Sequence, residues 1–290
     1  MKKYLVLAII AILFAACSKE INNEVNNNAF ASVRVHVDGF NVSQEEFSGT
    51  RAAQDVADYA GVSSITLAFY ASNGTEVYKT TQAKGDADFG EFECSLPMGT
   101  YTMVAVAYYN SDASPLELTS PTVAAYTGTR AYETFAATQE VVISNTNAVD
   151  ISATLDRVVT QLKVVSTDGK TADVNNVRMT FSAGGKDFNP TTGFAITNTG
   201  FANIVSNSAS VGATSTSISF LFLATDEQNI DVTIETLDAD GAVLFSKTVN
   251  DVPFQRNRVT KLTGAMYTNT GLTGTFQVET VWLTEENVAF

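Results

Sequence analysis

Residues 30–37 read FASVRVHV, and from Ala31 to Val37 apolar and polar side chains alternate without a break. Successive side chains of a β-strand point to opposite faces, so the alternation predicts a strand with one buried and one solvated face. The positions that we expect to face the core are small or β-branched: Ala31, Val33, Val35 and Val37. The segment therefore predicts a fold that is built from β-sheets.

The rest of the sequence shows the same preference for strands. Val, Thr, Ser, Gly and Asn are abundant, long helical patterns are nearly absent, and turn pairs such as Asn73-Gly74 and Asp240-Gly241 separate short alternating runs. Residues 101–109 are apolar on both faces, which predicts a central strand that is covered on both sides. We expect an all-β chain of β-sandwiches, with irregular segments over 111–132 and 184–215 and a short helix over 54–60.

The N-terminus has the features of a bacterial secretory signal. Met1-Lys2-Lys3 precedes an apolar run over residues 5–16, and Cys17 follows two small residues, Ala15-Ala16. The run is shorter than the ~20 residues that a membrane-spanning helix needs. A cysteine at this position resembles the lipobox of bacterial lipoproteins, which implies cleavage after residue 16, attachment of lipid such as palmitate to Cys17, and an outer-membrane location. An ordinary signal peptide with a chance cysteine is the alternative.

The charge and the cysteine content of the chain exclude one class of partner and one source of stability. The 290-residue chain has a formal net charge of −14, which argues against nucleic acid as a partner because such binding depends on Lys and Arg. Once Cys17 carries a lipid, Cys94 has no disulfide partner, so the hydrophobic core must hold the fold. Cys94 shares one strand face with Phe92 and Leu96, which predicts a buried and inert thiol.

The sequence offers no pattern that is typical of a catalytic or metal centre. His36 is the single histidine and lies on the polar face of the first predicted strand. The segment from Asp238 to Gly241 resembles only the first part of a calcium loop, so a turn is the better interpretation. Three tyrosines could stack on sugars, although rim aromatics of a sandwich are the commoner explanation: Tyr108, Tyr109 and Tyr126. We expect a protein that is not an enzyme and that has no cofactor.

The chain divides into five predicted segments. A signal peptide over 1–16 and a polar tether over 17–28 come first, followed by one β-sandwich domain over 29–155 and a second over 156–270. The tail, residues 271–290, completes the chain. In this tail Phe276, Val278 and Trp282 share one face, which predicts a terminal strand.

Four motifs in a fixed order resemble those of the fimbrillin-like lipoproteins of Bacteroidota, which are major, anchor and accessory pilus subunits. The motifs are Thr50-Arg51-Ala52, the turn from Leu96 to Tyr101, the junction from Leu155 to Val159, and the segment from Val252 to Gly264. No single motif is specific, and their order along nearly the whole chain carries the resemblance. It implies two transthyretin-like β-sandwich domains in tandem and a structural or adhesive role in a fimbrium at the cell surface.

The resemblance also implies assembly by strand exchange with other fimbrial subunits, in a homo- or hetero-polymer. In the polymerising members an arginine-specific protease cuts the first loop, here between Arg51 and Ala52. The first strand, with Val33, Val35 and Val37, then leaves, and a strand from a neighbouring subunit fills the groove.

The matching donor is the terminal strand with Phe276, Val278 and Trp282. Anchor subunits of the family keep their lipid and are not cut, so the loop around Arg51 is an ordinary loop in that alternative. Arg130 is a second arginine in a loop that we expect to be exposed, although a cut there would split the first domain. Two other functions stay open, namely a monomeric surface lipoprotein that binds a glycan or a host protein, and a surface hydrolase.

Overall fold

The computed structural model describes residues 29–41, 56 and 59–267, together with the backbone of residues 277–281. Every regular secondary-structure element in this part of the chain is a β-strand, which confirms the all-β prediction. In the same residues no helix has the length and apolarity that a membrane crossing requires. Most of the helix predicted over 54–60 lies outside the described residues.

The first half of the chain forms a seven-stranded sheet in the order β3-β2-β5-β8-β9-β1-β4, and two short strands lie outside it. The strands are β1 Phe30–Asn41, β2 Ser64–Ala71, β3 Glu76–Ala83, β4 Glu91–Pro97, β5 Gly99–Tyr108, β6 Leu116–Ser120, β7 Val123–Tyr126, β8 Thr134–Ile143 and β9 Val149–Arg157.

This sheet folds into two layers because it is nearly interrupted between β8 and β9. These two strands share only the pairs Phe135↔Arg157 and Ala136↔Asp156, whereas β5 and β8 pair along their full length. The layer β3-β2-β5-β8 therefore packs against the layer β9-β1-β4. One hydrophobic core fills the space between the layers and includes Val35 of β1, Leu67 of β2 and Met103 of β5.

β5 is buried on both faces, as its sequence predicts. Met103 and Ala105 belong to the core of the sandwich, whereas Val104 and Val106 belong to a second core on the other side. A small four-stranded sheet, in the order β13-β12-β7-β6, contributes to this second core. Its strands β12 and β13 come from the second half of the chain, so the second core joins the two halves.

The second half forms a second sandwich of two four-stranded sheets, ordered β15-β10-β18-β19 and β14-β11-β16-β17, around a core of its own. The strands are β10 Thr160–Ser166, β11 Asn176–Phe181, β12 Asp187–Asn189, β13 Phe194–Ala195, β14 Phe201–Ser206, β15 Thr216–Leu221, β16 Glu227–Leu237, β17 Val243–Gln255, β18 Val259–Gly264 and β19 Gln277–Val281.

Two segments that we predicted to be irregular contain strands. Residues 111–132 hold β6 and β7, and residues 184–215 hold β12, β13 and β14. Strands of two to five residues present too few positions for a period of two to stand out in the sequence, which explains most of this error. The division into domains at residue 155 stays a prediction.

Candidate functional site

The first strand, β1, lies inside its sheet and has a neighbour on each side. It pairs antiparallel with β4, from Phe30↔Pro97 to His36↔Glu91, and parallel with β9, from Val33↔Val149 to Asn41↔Asp156. Both backbone edges of β1 are therefore occupied, and its removal would leave β4 and β9 with unpaired edges that face each other. We call the space that β1 fills between β4 and β9 the β1 slot.

The inward face of β1 is fully buried. Ala31 and Val33 are 0% exposed, and Val35 and Val37 are 1% and 2% exposed, which confirms the alternation read from the sequence. A shift of the register against β9 between Val37 and Gly39 inserts Asp38 as an extra residue. The shift brings Phe40, 0% exposed, onto the core face. The slot thus has five inward positions, held by Ala31, Val33, Val35, Val37 and Phe40.

The outward face of β1 is polar and solvated. The guanidinium Nε of Arg34 lies 3.5 Å from a carboxylate oxygen of Glu93 on β4, and both side chains are more than 60% exposed. His36 lies between the carboxylates of Asp38 and Glu91 and is exposed, which agrees with its predicted place on the polar face. Exposed ion pairs of this kind contribute little to stability, so the inward side chains and the backbone hydrogen bonds hold β1 in place.

Cys94 of β4 stands directly opposite Val33 of β1 in the antiparallel register. Its side chain is buried, and this burial, with the charge of Glu93 adding to it, raises the pKa of the thiol to about 11. A thiol with so high a pKa is almost entirely protonated near neutral pH and is a poor nucleophile. Because Cys94 is the register neighbour of Val33, we expect the accessibility of its thiol to change when β1 leaves the slot.

An aromatic cluster encloses the C-terminal end of β1. The ring centroid of Phe40 lies 4.6 Å from that of Phe135 and 5.4 Å from that of Tyr59, and the centroids of Tyr59 and Phe135 are 5.3 Å apart. The guanidinium of Arg157 stands 5.1 Å from the centroid of Phe135. Phe40 thus packs beside Arg157, a residue of the junction motif.

A polar network covers this aromatic cluster. Arg157 donates to the hydroxyl of Tyr59 at 2.8 Å and to the side-chain oxygen of Asn257 at 3.1 Å, and it forms an ion pair with Glu133 at 2.7 Å. Tyr59 donates its hydroxyl proton to Glu133, and burial raises the pKa of Tyr59 above its ordinary range, so it remains a donor. Asn257 adopts a left-handed φ of 58°, which asparagine tolerates better than most residues.

The network joins two of the motifs that carry the family resemblance. Arg157 comes from the junction motif and Asn257 from the motif near the end of the chain, and 100 positions separate them. The sequence alone does not predict this contact, since the motifs lie far apart in the chain. The structure gives Arg157 a role at the end of β9, where it ties the β1 slot to the turn between β17 and β18.

The segment between β1 and β2 contains the predicted cleavage position. Arg51 and Ala52 lie outside the described residues, as does Cys17. The chain is held on both sides of Arg51, since Asn41 donates to Asp156 at 2.6 Å and Tyr59 belongs to the polar network. A cut between residues 51 and 52 would therefore leave β1 attached to the rest of the fold by noncovalent contacts alone.

The C-terminal strand lies on its own chain. β19 pairs antiparallel with β18, from Val259↔Val281 to Thr263↔Gln277, and forms the end of its sheet. Of the predicted donor residues, Val278 pairs with Leu262, whereas Phe276 and Trp282 lie outside the described residues. Within the part of the chain that the structure describes, β19 thus has one strand neighbour, unlike β1, which has two.

Other residues singled out in the sequence have structural places. Tyr108 and Tyr126 are 4% and 3% exposed and belong to the second core, so neither offers a face to a sugar, whereas Tyr109 is 45% exposed. Arg130 is half-buried and is not an exposed loop residue. The hydroxyl of Ser114 donates to the backbone carbonyl of Arg130 at 2.6 Å and fixes this part of the loop. The prediction of an exposed arginine there was wrong.

The acidic segment near residue 240 is a turn, as predicted. One carboxylate oxygen of Asp238, Oδ1, accepts from the backbone amides of Asp240 at 3.0 Å and Ala242 at 2.8 Å, which is the pattern of a turn stabilised by an aspartate side chain. In the part of the chain that the structure describes, no three His, Cys, Asp or Glu side chains converge in a geometry that could hold a metal ion.

Residues 31–287 match the model of a family of unknown function, DUF6562. The chain belongs to this family. The matched range begins in β1 and extends beyond β19, so it includes the slot, the polar network and the terminal strand. No curated protein matches the sequence.

Solved structures from Bacteroidota share the fold. A candidate adhesin from Bacteroides ovatus matches with a TM-score of 0.53 and 12% identity over 87% of this chain and 93% of its own. A candidate adhesin from Bacteroides thetaiotaomicron matches with a TM-score of 0.51 and 12% identity over 88% and 97%. The fimbrial anchor protein Mfa2 from Porphyromonas gingivalis is a neighbour with a TM-score of 0.46 and 13% identity over 87% and 97%. At these identities the first two comparisons establish the fold alone, and the third adds no argument.

Proposed function

We propose that this protein is a cell-surface subunit of a fimbrium or a related adhesive structure, and that it assembles by exchanging β1 for a strand of another subunit. One observation carries the proposal: β1 is an interior strand whose covalent link to the fold runs through the segment that contains Arg51. The role is structural or adhesive and non-catalytic. A lipid on Cys17 anchors the unprocessed chain to the outer membrane.

The energetics explain why the slot cannot remain empty. Burying a Val or Phe side chain contributes about 1.5–3 kcal/mol, and β1 buries three valines and one phenylalanine almost completely. The lost backbone hydrogen bonds add to this cost on both edges of the slot. The sum is of the same order as the stability of a whole domain, about 5–15 kcal/mol. A chain without β1 is therefore driven to accept another strand.

Proteolysis provides the control step in this proposal. While the chain is intact, β1 is tethered beside its slot at an effective concentration in the millimolar range, which no free segment can match. A cut after Arg51 by an arginine-specific protease abolishes this advantage, because the strand and its lipid then leave as a separate molecule. Exchange then depends on how well an incoming strand fits.

The tail is the proposed donor to a neighbouring subunit. β19 is bound along one edge only, and an edge strand of five residues with one neighbour is released more readily than an interior strand. Its detachment would free a segment with the alternating residues Phe276, Val278 and Trp282 for strand addition to another chain.

Replacing Arg51 tests the proposal. We expect Arg51→Ala to abolish cutting and to leave the chain at the membrane with Cys17 as its first residue. Arg34→Ala is the matched control, since Arg34 is exposed but held in β1, and we expect its processing and assembly to equal those of the wild type. The N-terminus and the sedimentation of surface protein from each strain give the readouts. Normal fibres from Arg51→Ala would contradict the proposal.

A monomeric surface binder on the same fold is the second candidate. The pairing of β19 with β18 of its own chain favours this function, because a tail that stays bound to its own chain provides no strand to another subunit. The two functions differ in one measurable respect. A binder keeps its lipid and sediments as a monomer, whereas a polymerising subunit loses its lipid and sediments as a polymer.

A further inference from the structure

We infer that the β1 slot is shaped for a strand from a different protein and not for the tail of a second copy, so that this chain joins a hetero-assembly and does not polymerise with itself. The inference rests on the proposed function, because it presumes that the slot opens. The partner is defined by the pattern of side chains that fits the slot.

The slot sets a pattern of sizes and spacings. Its inward positions hold one Ala and three Val in strict alternation, and then, three residues after Val37, an aromatic ring. The extra residue at Asp38 fixes this longer last step, because the register against β9 shifts there. A strand that fits must therefore read small-x-Val-x-Val-x-Val-x-x-aromatic. Interiors are close-packed, so larger or charged side chains at these positions are rejected.

The last position is the most demanding one. Phe40 packs against both Phe135 and Tyr59, beneath the polar network of Arg157 and Glu133. A small side chain there would leave a void under an ion pair that is about four-fifths buried, and a charged one would lie against two aromatic rings. An incoming strand must consequently bring an aromatic ring to this end of the slot.

The tail of this chain, taken together with the three residues before it as 268–290, fails this requirement in either strand direction. Its aromatic residues are Phe276, Trp282 and Phe290. We first consider the tail running parallel to the native β1, with one of its aromatic residues in the last position. Phe276 in that position puts Asn269 where Val33 stands, and Trp282 puts Glu279 where Val37 stands. Phe290 in that position puts Glu285 where Val35 stands. Running in the opposite direction, Phe276 and Trp282 put Glu279 and Glu285 in place of Val37. Each register buries a polar or charged side chain without a partner.

The remaining registers fail on size. Those that keep every charge and amide out of the slot place Phe276 or Trp282 where Ala31 or one of the valines stands, and they bring no aromatic ring to the Phe40 position. Such a strand overfills one part of the core and leaves a void in another. The tail can still serve the slot of another subunit, whose pockets differ. The chain therefore receives its strand from one kind of partner and offers its tail to a second.

A peptide competition tests the inference. The full chain carries Cys17→Ser, so that Cys94 is its only thiol. It is cut after Arg51 with an arginine-specific protease, and the fragment of residues 1–51 is removed in denaturant before the cut chain is refolded with or without a peptide. The rate at which a thiol reagent modifies Cys94 then reports on the slot, because Cys94 lies opposite Val33. The probes are peptides with the sequences of residues 30–41 and 268–290, and two variants of the first that carry Val35→Glu or Phe40→Ala.

We expect the 30–41 peptide to slow the modification of Cys94 at least tenfold, and the tail peptide and both variants to change the rate less than twofold. We also expect the cut chain alone to sediment as a monomer. Protection by the tail peptide equal to that by the 30–41 peptide, or polymers of the cut chain alone, would overturn the inference while leaving strand exchange intact. If no peptide of either kind exchanges into the cut chain, strand exchange fails and the inference fails with it.

Discussion

At the scale of single residues, Phe40 determines how the first strand ends. It is 0% exposed, whereas Phe30 at the other end of the same strand is 55% exposed. The alternation over residues 30–37 predicted the four inward positions before it, but continuing the same period would have put Asn41 inward instead. Asp38-Gly39, a pair typical of turns and bulges, was the one signal that the period breaks.

This difference makes Phe40 and Phe30 a matched pair. Phe40→Ala removes a ring from a packed aromatic cluster, and we expect it to lower the free energy of unfolding by about 3–5 kcal/mol. Phe30→Ala changes the same residue type on the same strand but at a solvated position, so we expect a change within about 0.5 kcal/mol. Urea unfolding of the two variants gives both values. Equal losses would mean that Phe40 is not part of the core.

Tyr70 makes the free energy of unfolding depend on pH in the alkaline range. It is 1% exposed, and burial, with Glu76 adding to it, raises its pKa to about 12. Below pH 10 the hydroxyl is protonated in both the folded and the unfolded chain, and ionisation does not favour either state. Between pH 10 and 12 it ionises in the unfolded chain but not yet in the folded one, so the free energy of unfolding falls as the pH rises through this interval. We expect the free energy of unfolding to fall over this interval, with Tyr70 responsible for about 2 kcal/mol.

The variant Tyr70→Phe separates this contribution from that of other groups. Its hydroxyl is buried and has no hydrogen-bond partner within the described structure, so its removal costs little at pH 7. We expect Tyr70→Phe to unfold less readily than the wild type at pH 11.5, while Tyr109→Phe, at a position that is 45% exposed, behaves as the wild type does. An identical alkaline loss in Tyr70→Phe would refute this assignment.

At the scale of elements, the polar network joins three parts of the fold that the sequence keeps apart. Tyr59 precedes β2, Arg157 ends β9, and Asn257 occupies the turn between β17 and β18. The ion pair of Arg157 with Glu133 is about four-fifths buried, which distinguishes it from the exposed pair of Arg34 with Glu93. Its neighbours make Arg157 a positioning residue for the end of the slot.

We expect Arg157→Met to lower the free energy of unfolding by at least about 2 kcal/mol. The change leaves Glu133 buried without its cation and removes hydrogen bonds to a charged group, each of which contributes about 1.5–3 kcal/mol. Arg34→Met removes an exposed pair on the same sheet and is the control, with an expected change below about 1 kcal/mol. Chemical unfolding measures both, and a loss in Arg157→Met no larger than in the control would contradict the role of the network.

At the scale of the whole molecule, the sequence revealed the class of fold better than its connections. Alternation identified β1, and the two apolar faces of β5 correctly placed it in the interior. The small sheet between the halves was missed, because β12 and β13 have three and two residues and pair with β7 from far along the chain. The position of β1 between β4 and β9 was equally inaccessible, since no local pattern specifies which strands become neighbours.

The candidate site shows the same limit. The inward valines could be read directly from the sequence, and so could the arginine in the loop that follows them. The contribution of Phe40, the position of Cys94 opposite Val33, and the contact of Arg157 with Asn257 all depend on register and on contacts between distant segments. Such contacts are properties of the folded chain, and one sequence alone does not determine them.

The central claim is that β1 is removed when the protein joins an assembled structure. The N-terminus and the intact mass of the protein, recovered in its assembled form from the surface of its own cells, test this claim directly. We predict a chain that begins at Ala52, without lipid and without residues 1–51. Assembled protein that begins at a lipidated Cys17 and still contains residues 30–41 would contradict the claim.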